Sequence, residues 1–332
     1  MRHPRLLVLG ALALAACPGS SNLTPREAGP EQGAPGSDAL SELGARDGLP
    51  TVYACNTVDV LFVIDDSGTM SQEQENLAAS FPKLIARLEG IKPAVKSYHL
   101  GVVSTDLGAG GREIGTCKGS GDDGKLLHAP HGSGCAASYP KWLEGPAATV
   151  AQDFACIAKL GTEGCGYEQQ LEAALRALTT QPENAGFLRK NAPLAIIFIS
   201  DEDDCSAKDA SLFDPDDLSL GELPTRCVRL LDKLHPISRY VDGFRALKDN
   251  PERIVVAAIT GPAGAVVLDP KLGTGMKPIC SSPSFGEATP GNRFAELVKQ
   301  FGERGVQASL CDGDLAAPLD VIGKALERVC LE

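Results

Sequence analysis

The run Val58-Asp59-Val60-Leu61-Phe62-Val63-Ile64, closed by Asp65-Asp66-Ser67-Gly68-Thr69, decides how this chain is to be read. A near-continuous apolar segment of this length, stopped by acids and turn formers, has the pattern of a strand buried on both faces of a sheet. Helical spacing follows at once: Leu77, Phe81, Leu84, Ile85 and Leu88 share a face, and Ser71 with Gln74 fits a capping box that starts the helix.

Working outward, strand and helix alternate almost throughout. Tyr98 to Ser104, Leu194 to Ser200, Ile254 to Thr260 and Val306 to Leu310 read as further strands. Glu168 to Thr179, Arg293 to Phe301 and Leu315 to Val329 read as helices, with helical sequence broken around Pro236 before Leu247. This order predicts an α/β fold: a Rossmann-like open, mostly parallel sheet flanked by helices on both faces, with ligands expected at the carboxyl ends of the strands. Two stretches interrupt it. Residues 107–155 are rich in glycine and carry cysteines, and residues 201–224 are acidic and contain proline, so both read as loop insertions in a domain spanning 51–332.

Two of the most apolar strands end in acids. Ile64 runs into Asp65 and Asp66, and Ser200 into Asp201, Glu202, Asp203 and Asp204. In a parallel sheet those ends open on one edge, where carboxylates repel one another unless a cation joins them. The hydroxyls of Ser67 and Thr69 add oxygen donors, and an all-oxygen set favours magnesium, calcium or manganese. Asp65-x-Ser67-x-Thr69 after an apolar strand, with Asp201 after a later one, resembles the metal-ion-dependent adhesion site of von Willebrand factor type A domains.

That resemblance covers roughly residues 55–332. It implies that Ser67 and Thr69 coordinate a divalent cation through their hydroxyls, magnesium being expected first. Asp65 and Asp201 would act directly or through water, and a partner's carboxylate would complete the shell. The family usually supplies a threonine from a second loop; here that loop reads Gly161-Thr162-Glu163-Gly164-Cys165-Gly166-Tyr167-Glu168, so Glu168 or a backbone carbonyl near Cys165 is the expected substitute. The rival reading of the motif is a turn whose Asp and Ser cap the next helix without any metal.

The start of the chain reads as an address. Arg2 and Arg5 precede an apolar run, Leu6 to Ala16, of signal-peptide length, which ends in Leu14-Ala15-Ala16-Cys17. This resembles a bacterial lipobox. It implies a signal peptide over 1–16, lipidation of Cys17 and, with Pro18 in place of Asp after the cysteine, an outer-membrane location. Residues 17–50, rich in Gly, Pro, Ala and Ser, read as a disordered tether. Removing residues 1–16 takes away two positive charges and no negative ones, so the formal charge moves from −12 to −14. That acidity makes nucleic acid an unsuitable partner and suits cations or basic surfaces.

Ten cysteines remain beside Cys17, an even count that reads as a disulfide framework in an exported chain. Nearness in sequence suggests Cys156 with Cys165, Cys205 with Cys227 and Cys117 with Cys135. Cys280 with Cys311 and Cys55 with Cys330 follow by elimination. Cys117, His128, His131 and Cys135 also have the residue types of a zinc site, at loose spacing. The run Asp214, Asp216, Asp217 and Glu222 loosely resembles a calcium loop but lacks its glycine, and reads better as a solvated surface segment.

No enzyme signature survives. Asp66-Ser67-Gly68-Thr69 matches the aspartic-protease string, but neither a second triplet nor a β-rich pattern accompanies it. There is no serine nucleophile elbow, no His-Glu-x-x-His and no dinucleotide glycine motif. The expectation is therefore a lipid-anchored cell-envelope module that binds a protein or cell-surface ligand through a divalent cation. The alternatives are a structural lipoprotein whose ion only stabilises loops, and a hydrolase with its chemistry in the 107–155 insertion.

Overall fold

Val58, Val60, Phe62 and Ile64 face one side of the central sheet and Leu61 and Val63 the other, and all are fully buried. Both faces being covered is why the strand is apolar almost without a break. The computed structural model describes residues 55–91, 95–283 and 286–331. The expected signal peptide, lipidated Cys17 and tether lie outside the described residues.

In chain order the elements are β1 (Thr57–Ile64), α1 (Ser71–Gly90), β2 (Ser97–Ser104), β3 (Leu143–Gly145), α2 (Val150–Ile157), α3 (Gln170–Thr179), β4 (Leu194–Ile199), α4 (Arg226–Arg229), α5 (Ile237–Arg245), β5 (Ile254–Thr260), β6 (Cys280–Ser282), β7 (Gly286–Ala288), α6 (Asn292–Lys299), β8 (Gly305–Ser309) and α7 (Ala316–Leu331). Six strands form the main sheet in the order β3-β2-β1-β4-β5-β8. All pairings are parallel except that of the short edge strand β3. The fold is thus the expected Rossmann-like α/β sheet. Helices α1, α2 and α7 pack on one face, where Phe62, Phe81 and Phe154 form an aromatic cluster. Helices α3, α5 and α6 cover the other, around Phe198, Phe244 and Phe294.

The 107–155 insertion is more structured than its weak periodicity suggests, since it holds β3 and most of α2. Elsewhere it is a loop held by local bonds. Asp106 accepts from Gly108 N at 2.7 Å, and a Cβ on Gly121 would run into the Asp106 carboxylate, so this close approach requires glycine. Asp106 is therefore a turn former.

Five disulfides are present among the described residues. Cys55–Cys330, Cys205–Cys227 and Cys280–Cys311 pair as expected. The other two are exchanged: Cys117 bonds Cys165, and Cys135 bonds Cys156. The physical reason is that Cys117 lies beside the loop before α3, where Thr116 Oγ1 donates to Gly164 O, whereas Cys156 is carried away from Cys165 on α2. The exchange also splits the zinc candidate, since Cys117 and Cys135 have separate disulfide partners and His128 Nδ1 lies 2.9 Å from Tyr139 O.

The acidic 201–224 insertion is organised by an arginine just beyond it, on α4. Arg226, among the largest fully buried side chains, donates to the carbonyls of Gly221, Leu212, Asp214 and Asp217 at 2.6–3.0 Å. The carboxylates of Asp214 and Asp217 accept from backbone N–H groups two residues on. An arginine thus sits where the loose resemblance to a calcium loop would have put an ion.

Candidate functional site

Parallel pairing of β1 with β2 and β4, and of β4 with β5, brings the carboxyl ends of these strands to one edge. Asp65 and Asp66 emerge from β1, Ser200 to Asp204 follow β4, and Glu168 approaches on the segment leading into α3. Asp65, Asp201 and Glu168 are all buried.

Asp65 is held at both oxygens. Oδ1 accepts from Ser67 N at 2.8 Å, and Oδ2 accepts from the Ser200 hydroxyl at 2.5 Å, which ties the β1 loop to the β4 loop. Ser67 Oγ lies 3.5 Å from Thr69 Oγ1, so the two motif hydroxyls sit together. The Asp201 backbone is fixed in turn, its carbonyl accepting from Thr289 N at 2.8 Å. The expected capping box is not formed. Ser71 does open α1, but Met70 is its cap residue, and Gln74 reaches across instead: Nε2 donates to Asp65 O at 2.9 Å and Gly161 O at 2.8 Å, while Oε1 accepts from Gly161 N. Gln74 thereby pins the second loop beside the first.

The electrostatics of the edge are unbalanced. Burial, followed by the charges of Glu202 and Asp65, holds the Glu168 carboxyl well above the usual carboxylate range. Burial, then Asp65 and Glu202, does the same to Asp201, and burial raises Asp65. Glu202 is pushed up to about 8 by burial and Asp65, and Asp66 to about 8 by burial and by Asp65, Asp106 and Asp122. Glu73, in the first turn of α1, is pushed up to about 7, mainly by burial. Asp201 Oδ1, Glu168 Oε1, Asp66 Oδ1 and both Glu73 oxygens are buried without a hydrogen-bond partner. Unpartnered buried acceptors are costly, so protons, ordered water or a cation would satisfy them.

All five sequence-predicted residues, Asp65, Ser67, Thr69, Asp201 and Glu168, belong to this edge. Among the described residues no group of three or more His, Cys, Asp or Glu side chains is set to hold a metal ion. An ion here would therefore draw on the two hydroxyls together with the carboxylates. Oxygen-only donors with an excess of negative charge fit a hard divalent cation. Sequence reasoning missed Glu73, Glu202 and Ser200. Glu202 was visible within the acidic run, and Glu73 as an acid in the first helical turn, where a solvated dipole partner is the ordinary reading.

No family model matches the chain, and no curated protein matches its sequence. Among solved structures it is similar to proximal thread matrix protein 1 from the mussel byssus, with 11% identity and a TM-score of 0.39 over 82% of this chain and 46% of that one. The second crystal form of that protein gives 11% and 0.37, over 83% and 48%. The human COPII-coat protein Sec24c gives 9% and 0.36, over 83% and 32%. The chain spans less than half the length of each of these proteins.

Proposed function

We propose that this chain is a binding module and not an enzyme: a cell-envelope lipoprotein, anchored at Cys17 in the outer membrane, whose von Willebrand factor type A-like domain captures a protein or cell-surface ligand through a divalent cation. Ser67 and Thr69 would hold the ion through their hydroxyls, with Asp65 and Asp201 acting directly or through water and Glu168 in place of the missing threonine. A bound divalent cation supplies an electrophilic centre for a carboxylate of the partner. The chain's own groups do the rest. Ser67 N and the Ser200 hydroxyl orient Asp65, and Gln74 and the Thr289 backbone hold the flanking loops in register.

The observation that carries this reading is the convergence, from separate strands, of buried carboxyls with unpartnered oxygens beside two adjacent hydroxyls. A helix-capping turn without metal requires no such acid on the β4 loop.

Calorimetry of the purified full chain with magnesium, calcium and manganese, beside an Asp65→Ala, Asp201→Ala double variant, tests it. Saturable binding in the parent and none in the folded variant supports the site. No binding in the parent removes it, leaving a disulfide-stapled scaffold. If binding is found, loss of partner capture on chelation with the fold intact separates a ligand-binding ion from one that only ties loops.

A further inference from the structure

A cavity of about 310 Å³ opens next to the acidic edge. Its walls are apolar, built from Pro224, Val228, Ile237, Val266 and Met276. Its polar lining is mostly acidic: Glu168, Glu202, Asp203 and Asp204 line it, and Glu296, also lining it, is exposed at the surface. Arg293 also lines the cavity, but it is already committed, with Nε donating to Asp204 Oδ2 at 3.0 Å and the guanidinium to His235 O at 2.8 Å. Asp203 is satisfied by Arg293 N at 3.0 Å. Glu168 is only 2% exposed, and its Oε1 has no donor from the protein.

These walls and this lining select one chemistry. An anion would be repelled, and a wholly apolar group would leave buried carboxyl oxygens unpaired. A cationic head on an aliphatic stem satisfies both halves, with the stem lying along the apolar walls and the head donating to Glu202, and to Glu168 where no divalent cation holds it. The volume lies at the small end of the range for ligand sites, about 300–1,000 Å³, as befits a single side chain. The surroundings favour a polypeptide as its carrier. Leu231 and Val266, both lining the cavity, are 57% and 39% exposed, an apolar margin around a charged socket. A formal charge of −12 over the chain adds long-range attraction for a basic partner.

We propose that this cavity receives a lysine or arginine side chain of a partner polypeptide. The inference goes beyond the cation reading and is tested apart from it, by calorimetric titration of the purified full chain in EDTA. The probes are the peptide acetyl-Gly-Lys-Gly-amide, its neutral counterpart acetyl-Gly-norleucine-Gly-amide, and free n-pentylamine. The lysine peptide should bind saturably, with the norleucine peptide and pentylamine each about tenfold weaker or worse. Glu202→Gln, checked for an unchanged near-ultraviolet circular dichroism spectrum, should weaken lysine-peptide binding about tenfold. Glu296→Lys, at an exposed position, should weaken it a few-fold, with the difference shrinking in high salt.

Equal binding of the norleucine peptide would overturn the proposal, as would the absence of lysine-peptide binding or indifference to both substitutions. Pentylamine binding as tightly as the lysine peptide would overturn the polypeptide source and assign the cavity to a free amine. Because EDTA is present throughout, none of these outcomes depends on whether the domain binds a divalent cation.

Discussion

Asp201→Asn should stabilise the cation-free protein and abolish its response to divalent cations. The Asp201 carboxyl is buried, its Oδ1 has no partner, and Asp65 and Glu202 add repulsion. An unsatisfied buried polar group costs about 1–3 kcal/mol, and the isosteric amide removes the charge while filling the same space. In EDTA the variant should therefore be more stable than the parent by up to about that amount. Saturating cation reverses the order: at about 1,000-fold excess over its Kd, a ligand that binds only the folded state stabilises the parent by about 4.1 kcal/mol. The variant should gain almost nothing. The assay is thermal unfolding under non-reducing conditions, in EDTA and in magnesium, where each kcal/mol moves the midpoint of a domain of this order of size by about 2–4 °C. The curves of parent and variant should exchange places. A variant less stable than the parent in EDTA, or one that gains as much from magnesium, would refute the reasoning.

Other outcomes follow from the same structure. Arg226→Met should cost about 3–5 kcal/mol in urea unfolding, because four buried or part-buried carbonyls lose their common donor; a cost below about 1 kcal/mol would mean that water replaces the guanidinium. Lys248 is buried, donates to Arg189 O at 2.6 Å, and is lowered by burial to about 8 from 10.5. An ammonium depressed in the folded state costs stability below the folded value, and that cost is relieved as pH rises from about 8 to about 10.5. The stability of Lys248→Met relative to the parent, from urea midpoints, should therefore fall across that window; a pH-independent difference would contradict the burial argument. Non-reducing peptide mapping should recover Cys117 joined to Cys165 and Cys135 to Cys156, and a Cys156–Cys165 peptide would show the pairing to be wrong.

What could be read from the residues divides along the range of the interactions involved. The Val58–Ile64 run announces a doubly covered strand because burial on both faces leaves a local signature. Asp65, Ser67 and Thr69 could be grouped with Asp201 because parallel order alone sends two strand ends to one edge. Cys55 could be joined to Cys330, and Cys280 to Cys311, by elimination once six other cysteines had been paired by nearness. Long-range placement was not readable in the same way. Cys165 lies next to Cys117 through a loop crossing that nearness in sequence does not report. Gln74 has the spacing of a capping residue, but the turn before α1 leaves Asp65 O and Gly161 within its reach, and those bonds win. Arg226 was hidden by the acids around it. Their carboxylates suggested a solvated or calcium-binding run, while the groups that organise the loop are backbone carbonyls, which every residue carries.

The most direct test of the account is to locate the ion. Crystals of the chain grown or soaked with manganese, measured for anomalous scattering, should show a peak in contact with the Ser67 and Thr69 hydroxyls and facing Asp65 and Asp201, absent in the Asp65→Ala, Asp201→Ala variant. A peak elsewhere, such as among Asp66, Asp106 and Asp122, or an ordered acidic edge with no peak in manganese, would contradict it.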